Sequence, residues 1–172
     1  VADCGDPFMG QENDTFKHPF YFKYIEKSFC KKVNYITVPV KTAVSAYYPE
    51  FHSKIKIIPQ GFNFEEVEIA NDVKRAYPCF AYAGGLIPGR RDPKEFLEYL
   101  VNYTEPYKFD IYTNQKSLVK PYAKRSGGRI EIKEYLPRKK LLFELSKLDF
   151  VVNFENAGEK QIPSKLIDYA II

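Results

Sequence analysis

The sequence predicts an α/β protein, a Rossmann-like parallel sheet with helices on both faces, preceded by the end of another α/β domain. Three observations carry that prediction. Apolar runs of strand length alternate with runs at helical spacing. Four such strand–helix pairs follow residue 78. A stretch rich in acids and poor in long apolar runs, "GFNFEEVEIANDVKRA" at 61–76, separates them from what comes before. The first 60 residues are too few for a doubly wound domain of their own, so 1–60 are expected to be the tail of an N-terminal domain with its linker. Residues 61–172 are then the second domain, truncated at its C-terminus. The chain opens on Val1 rather than Met and stops at "DYAII" inside a helical pattern, so a fragment is expected.

Taken in order, "HPFYFKYIEKSFCKKV" (18–33) has its apolar residues at helical spacing, and "YITVPV" (35–40) is a β-branched run. "TAVSAYYPEF" (42–51) reads as a short helix or turn, and "KIKIIPQGFN" (54–63) as a strand closed by Pro59 and Gly61. The second series runs "FAYAGGL" (strand), "DPKEFLEYLVNY" (helix), "KFDIYTN" (strand), "SLVKPYAKRSG" (weak helix) and "RIEIKEYL" (strand). It continues with "RKKLLFELSKL" (helix), "DFVVNFEN" (strand) and a closing helix in "QIPSKLIDYA".

Composition bounds the chemistry. Hydrophobic residues at 45% and charged residues at 28% are the balance of a soluble globular protein rather than a disordered one. The net charge of +4 favours anionic ligands mildly, but the basic runs "RKK" and "KK" are too short to argue for nucleic acid. Cys4, Cys30 and Cys79 form no short pair and an odd set, which fits a reducing, cytoplasmic compartment better than a disulfide framework. His18 and His52 are isolated, so no metal site is expected, and no apolar run reaches the roughly 20 residues of a spanning helix.

Two stretches carry candidate chemistry. In "QIPSKLIDYA" (161–170), Pro163 precedes the first helical turn, Ser164 is placed to cap it and Lys165 stands beside it. Free backbone N–H groups and a cation there suit phosphate. Asp168, one turn on, could accept hydrogen bonds from vicinal sugar hydroxyls. A surface helix with a serine cap and a solvated lysine and aspartate is the other reading. In "YAGGLIPGRRDP" (82–93) glycines follow a strand and two arginines follow the glycines. Glycine allows close backbone approach, and arginine offers a forked donor to phosphate oxygens. The stretch matches neither the dinucleotide fingerprint nor the Walker pattern, and a tight loop with solvated arginines remains the alternative. Both loops should lie at the carboxyl ends of strands, where open α/β sheets bind ligands.

The order "YITVPV", "KIKIIPQGF", "FAYAGGLIPGRRDP", "IEIKEYLPRKKLLFELSKLDFVVNFEN" and "IPSKLIDYA" resembles the nucleotide-sugar-dependent glycosyltransferases of the GT-B fold, in the retaining group that builds bacterial surface polysaccharides. The resemblance covers nearly the whole chain. It implies that 1–60 end the acceptor-binding domain and that 61–172 are most of the donor-binding domain. It implies an enzyme that transfers a sugar from a nucleoside diphosphate sugar to an acceptor hydroxyl, with no cofactor or metal, and a fragment inactive alone. In that family the second acid of a Glu, seven residues, Glu motif contacts the donor ribose, and Asp168 stands there as a shorter carboxylate. The first acid would fall on Lys160, with Glu159 adjacent and Glu155 further back as the catalytic candidates. Gly85 occupies the usual first arginine position of the diphosphate site, leaving Arg90 or Arg91 as counterpart of the family's lysine.

The same resemblance lets Arg90, Arg91, Lys165 and the Ser164 amide stabilise the departing diphosphate. Asn153, Asn156 and Gln161 become candidates for the sugar hydroxyls, and Tyr135, Leu136 and Arg138 for the base, with Tyr135 equally readable as a packing residue. Asp6, in "DCGDPF", faces the acceptor side or caps a turn. The expected partners are a nucleoside diphosphate sugar and a glycan or lipid-linked acceptor, with no nucleic acid. The aromatic, basic helix "FYFKYIEKSF" could meet the inner membrane surface or belong to a core. A rival class is a non-catalytic nucleotide-binding or regulatory α/β module. Receiver-type modules, however, need acids at strand ends, and these strands end in "AGG", "YTN", "EYL" and "NFEN".

Overall fold

The computed structural model describes residues 1–4, 9, 18–59, 61, 68–70, 74–154 and 165–172. The chain divides into two compact units, with the break between residues 62 and 63. In the first unit, β1 (Ala2–Asp3), β2 (Ile36–Val38) and β3 (Ile55–Ile57) form a parallel sheet in that order. Helix α1 (Phe22–Lys32) connects β1 to β2, and two short 3-10 helices (Lys41–Ala46 and Pro49–Lys54) connect β2 to β3. The core is small: Cys30, Ile36, Val38, Ala43, Tyr47 and Phe51. Lys54 Nζ donates to the carbonyls of Cys30, Lys31 and Val33 at 3.1, 3.0 and 2.9 Å, placing a cation on the last turn of α1, where the helix dipole favours it.

The second unit holds four parallel strands: β4 (Cys79–Ala83), β5 (Lys108–Tyr112), β6 (Ile130–Lys133) and β7 (Phe150–Val151), in spatial order β6-β5-β4-β7. They are linked by α2 (Lys94–Asn102), α3 (Lys116–Arg125) and α4 (Arg138–Leu145), and α5 (Lys165–Tyr169) closes the chain. All five residues of β4 are buried, as a strand with helices on both faces requires. On one face Phe80 and Tyr82 pack with Leu97 and Leu100 of α2, Val119 of α3, and Phe109 and Ile111 of β5. On the other, Ala81 and Ala83 meet Leu145 of α4, with Tyr169 of α5 packed alongside.

A row of rings pins the register. Phe80 pairs with Phe109 and with Phe150, stacking at centroid distances of 4.8 and 4.5 Å.

The predicted strand at 149–156 is shorter than its apolar pattern suggests. Among its described residues only Phe150–Val151 form strand, because Val152 and Phe154 pack against the β4 core from a loop. Among the described residues of the predicted strand at 54–63, Ile55–Ile57 form strand, and Ile58 beyond them is exposed. Helix α3 runs through Pro121, which is exposed while the neighbouring Val119 is buried, so side-chain packing outweighs the lost backbone bond. Of the closing helix, 161–164 lie outside the described residues.

Candidate active site at the carboxyl edge of the second sheet

From β4 the chain steps outward to β5 and β6, then returns past β4 to β7. The strand order therefore reverses between β4 and β7. At such a reversal successive crossovers leave toward opposite faces and open a crevice beyond the carboxyl ends of the strands. The loop leaving β4 lies at this point.

The loop is tight. Ile87 and Arg91 form an antiparallel bridge, and Gly89 at the tip has φ 74°, in the left-handed region that favours glycine. Asp92 accepts from the backbone N–H of Gly89 and of Lys94, each at 3.0 Å, so one carboxylate ties the turn to the start of α2. Those backbone donors hold the Asp92 carboxyl below its usual range.

Beside the loop is a cavity of about 270 Å³ lined by residues that follow three strands: Ala83, Gly84 and Gly85 after β4, Thr113 to Gln115 after β5, and Tyr135 with Leu136 after β6. Tyr112, Leu141 and Lys165 complete its wall. Lys165 Nζ donates to the carbonyl of Ala83 at 2.5 Å and stands 5.5 Å from the centre of the Tyr82 ring. Burial lowers the Lys165 pKa, and the charge of Arg91 lowers it further, against a smaller opposing pull from Asp168. Arg91 also stands beside the Tyr82 hydroxyl, and its Nε is buried without a hydrogen-bond partner. Two cations thus act on one small volume, and among the described residues neither forms an ion pair.

Gly84 makes this convergence sterically feasible. A Cβ there would lie 2.0 Å from Lys165 Nζ and 2.6 Å from Tyr82 Oη. Gly85 lines the cavity, and its carbonyl accepts from Tyr82 Oη at 2.8 Å. Gln115 Oε1 accepts from the Leu86 N–H at 3.0 Å and from Thr113 Oγ1 at 3.1 Å, joining the loops after β4 and β5.

The sequence-predicted residues fall into three groups. Gly85 and Lys165 line the cavity with Tyr135 and Leu136, Tyr135 with 76% of its surface exposed, while Arg91 lies outside the lining, beside the Tyr82 hydroxyl and close enough for its charge to act on Lys165. Arg90 is half-buried and lies outside the cavity lining, and its backbone N–H donates to Ile87 at 3.0 Å.

Asp168 and Arg138, assigned by sequence to ribose and base, form one ion pair. Arg138 Nη2 and Nε both donate to Asp168 Oδ1, at 2.6 and 3.2 Å. Asn153 follows β7, half-buried, and does not line the cavity. Asp6, Glu155, Asn156, Glu159, Gln161 and Ser164 lie outside the described residues. Sequence reasoning missed Tyr82, Gln115 and Tyr169. Tyr82 alternates with Phe80 along a buried strand and reads as plain core, whereas the polar run "TNQ" after β5 was a usable signal for Gln115.

The described residues define the class of the fold, a parallel Rossmann-like α/β arrangement with helices on both faces, as in GT-B glycosyltransferases. Among solved structures the chain is similar to the lipopolysaccharide outer core galactosyltransferase WaaB in its apo form. The TM-score is 0.56 and the identity 14%, over 80% of this chain and 41% of that one. No protein-family model and no curated protein matches the sequence. The chain spans less than half the length of that structure, and at this identity the likeness shows the fold.

Proposed function

We propose that the chain is part of a nucleotide-sugar-dependent glycosyltransferase, of the retaining GT-B kind that builds bacterial surface polysaccharide. In this reading the second unit binds the donor and the first belongs to the acceptor side. One observation carries it: Lys165, in no ion pair among the described residues, stands over Gly84 at the reversal point of a parallel sheet, within reach of the Arg91 charge. Like charges held together raise each other's energy, and an anion bound between them relieves that cost. The cavity continues toward Leu136 and Tyr135, which gives a ring system a place beside the phosphates.

In the transfer, the bond from the anomeric carbon to the terminal phosphate oxygen breaks and a bond to the acceptor oxygen forms. The acceptor hydroxyl releases its proton, and the nucleoside diphosphate leaves with an added negative charge. Arg91 and Lys165 stabilise that charge as it grows, in a site fixed before the reaction starts, and this role needs no metal. Arg138 engages Asp168 Oδ1, and in this reading the other carboxylate oxygen accepts a ribose hydroxyl.

Peripheral contact with the cytoplasmic face of a membrane belongs to the same proposal. Tyr21, Tyr24, Ile25 and Phe29 are exposed along α1, near Lys23, Lys31 and Lys32.

The test is isothermal calorimetry of the 172-residue chain against the diphosphates of uridine, guanosine, adenosine, cytidine and thymidine, with inorganic pyrophosphate alongside. Binding of pyrophosphate and tighter binding of one nucleoside diphosphate are expected, without sugar transfer by this chain alone. Failure to bind any of them ends the reading.

A further inference from the structure

Resting on the donor-site reading, we infer that Tyr82 is a positioning residue whose buried hydroxyl holds Arg91 and the Gly84–Gly85 backbone so that Arg91 and Lys165 address a single anion. The ring of Tyr82 has 1% of its surface exposed and packs on Phe154 at a centroid distance of 4.6 Å. For that packing a phenylalanine would do as well. A hydroxyl in the same place costs free energy unless it is bonded, so its presence asks for partners. It has them: it donates to the Gly85 carbonyl at 2.8 Å and stands against the Arg91 guanidinium.

The neighbouring glycine points the same way. The described glycines with positive φ are Gly89, Gly127 and Gly128, so Gly84 is not there for an unusual backbone conformation. What it supplies is space, because the atoms an added Cβ would strike are Lys165 Nζ and the Tyr82 hydroxyl. The phenol oxygen therefore sits where both cations and the loop backbone come together. Arg91 reaches that point from the far end of the loop, after the turn at Gly89, and its own Nε has no partner. Without the Tyr82 oxygen, little that the structure describes would keep the guanidinium beside Lys165 against their mutual repulsion.

The experiment measures binding of inorganic pyrophosphate, a probe that needs no knowledge of the base, by the 172-residue chain and four variants: Tyr82→Phe, Arg91→Ala, the double variant and Gly84→Ala. Tyr82→Phe should weaken binding about tenfold, a loss of about 1.4 kcal/mol. In the Arg91→Ala background the same change should have no further effect, since Tyr82 acts through Arg91. A purely structural role would instead weaken both backgrounds alike. Gly84→Ala presses on both the ammonium and the phenol, and it too should weaken binding about tenfold or more.

Equal binding by Tyr82→Phe and the unaltered chain overturns the inference, as do losses that multiply in the double variant. Should Tyr82→Phe fail to fold, unaltered pyrophosphate binding by Gly84→Ala overturns it. Equal binding by Tyr82→Phe leaves the donor-site reading standing, whereas an unaltered chain that binds neither pyrophosphate nor any nucleoside diphosphate removes both.

Discussion

Replacing Asp168 with Asn separates a ligand-binding carboxylate from one that merely pairs with a neighbour. In the structure its Oδ1 takes both hydrogen bonds from Arg138, and the side chains of Arg138 and Asp168 are 46% and 24% exposed. A pair so open to water contributes about 0.2–1 kcal/mol to folding. Asn keeps the shape and one acceptor oxygen, so the denaturant midpoint should barely move. A hydroxyl bonded to a charged carboxylate is worth about 1.5–3 kcal/mol before allowing for the water it replaces, so donor affinity should fall by about tenfold. Calorimetry would compare the nucleoside diphosphate that binds best with its 2′,3′-dideoxy analogue, alongside urea unfolding of each variant. The analogue should bind the unaltered chain more weakly and be nearly indifferent to the substitution. Equal losses for both ligands would show that the residue acts through overall charge or folding. No loss for either would leave the Arg138 pair as its whole role and refute the ribose assignment.

Lys165→Met should weaken pyrophosphate binding by about tenfold or more while leaving the unfolding midpoint unchanged or raised, because it removes a cation whose charged form burial and Arg91 disfavour. The same lowered pKa has a signature in pH. Between the folded value and the ordinary unfolded value of ~10.4 the unfolded chain holds more protons, so stability should rise with pH through that window. Urea titrations across it should show this slope in the unaltered chain and a reduced slope in Lys165→Met. Leu97→Ala, at a fully buried position between α2 and β4, should cost about 2–5 kcal/mol of stability, read as a shift in urea midpoint. A loss below 1 kcal/mol would mean that the α2 face is looser than described.

The order of elements was legible because strand residues here are β-branched or aromatic and helix residues repeat at helical spacing, both local properties. The extent of β7 was not. "FVVNF" reads as one apolar strand, yet after Val151 the burial continues from a loop, and a pattern of inward residues does not say which backbone presents them. At the site, "AGG" and the following arginines announced a close approach and a charge because glycine and arginine have few other reasons to adjoin a strand end. The choice of Arg91 over Arg90 beside Lys165 depends on the Ile87–Arg91 bridge, a three-dimensional fact. The Arg138–Asp168 pair joins residues 30 apart in sequence, and nothing local in either segment indicates the other. Tyr82 was hidden for the opposite reason: everything local about it is accounted for by the core.

The Ala83 carbonyl is held by two donors at once, Lys165 Nζ at 2.5 Å and Tyr169 Oη at 3.2 Å. A buried acceptor left bare would cost about 1–3 kcal/mol, but here the ammonium can depart while the phenol stays, and no acceptor is stranded. Lys165 is therefore on loan to the backbone rather than committed to it. On the donor-site proposal, releasing it to a phosphate would take only side-chain rotation, a motion of picoseconds to nanoseconds, with the strand and the loop unmoved. The arrival of the anion, and not any remodelling of the protein, would then set the pace of capture, and that pace should slow as added salt screens the two waiting charges.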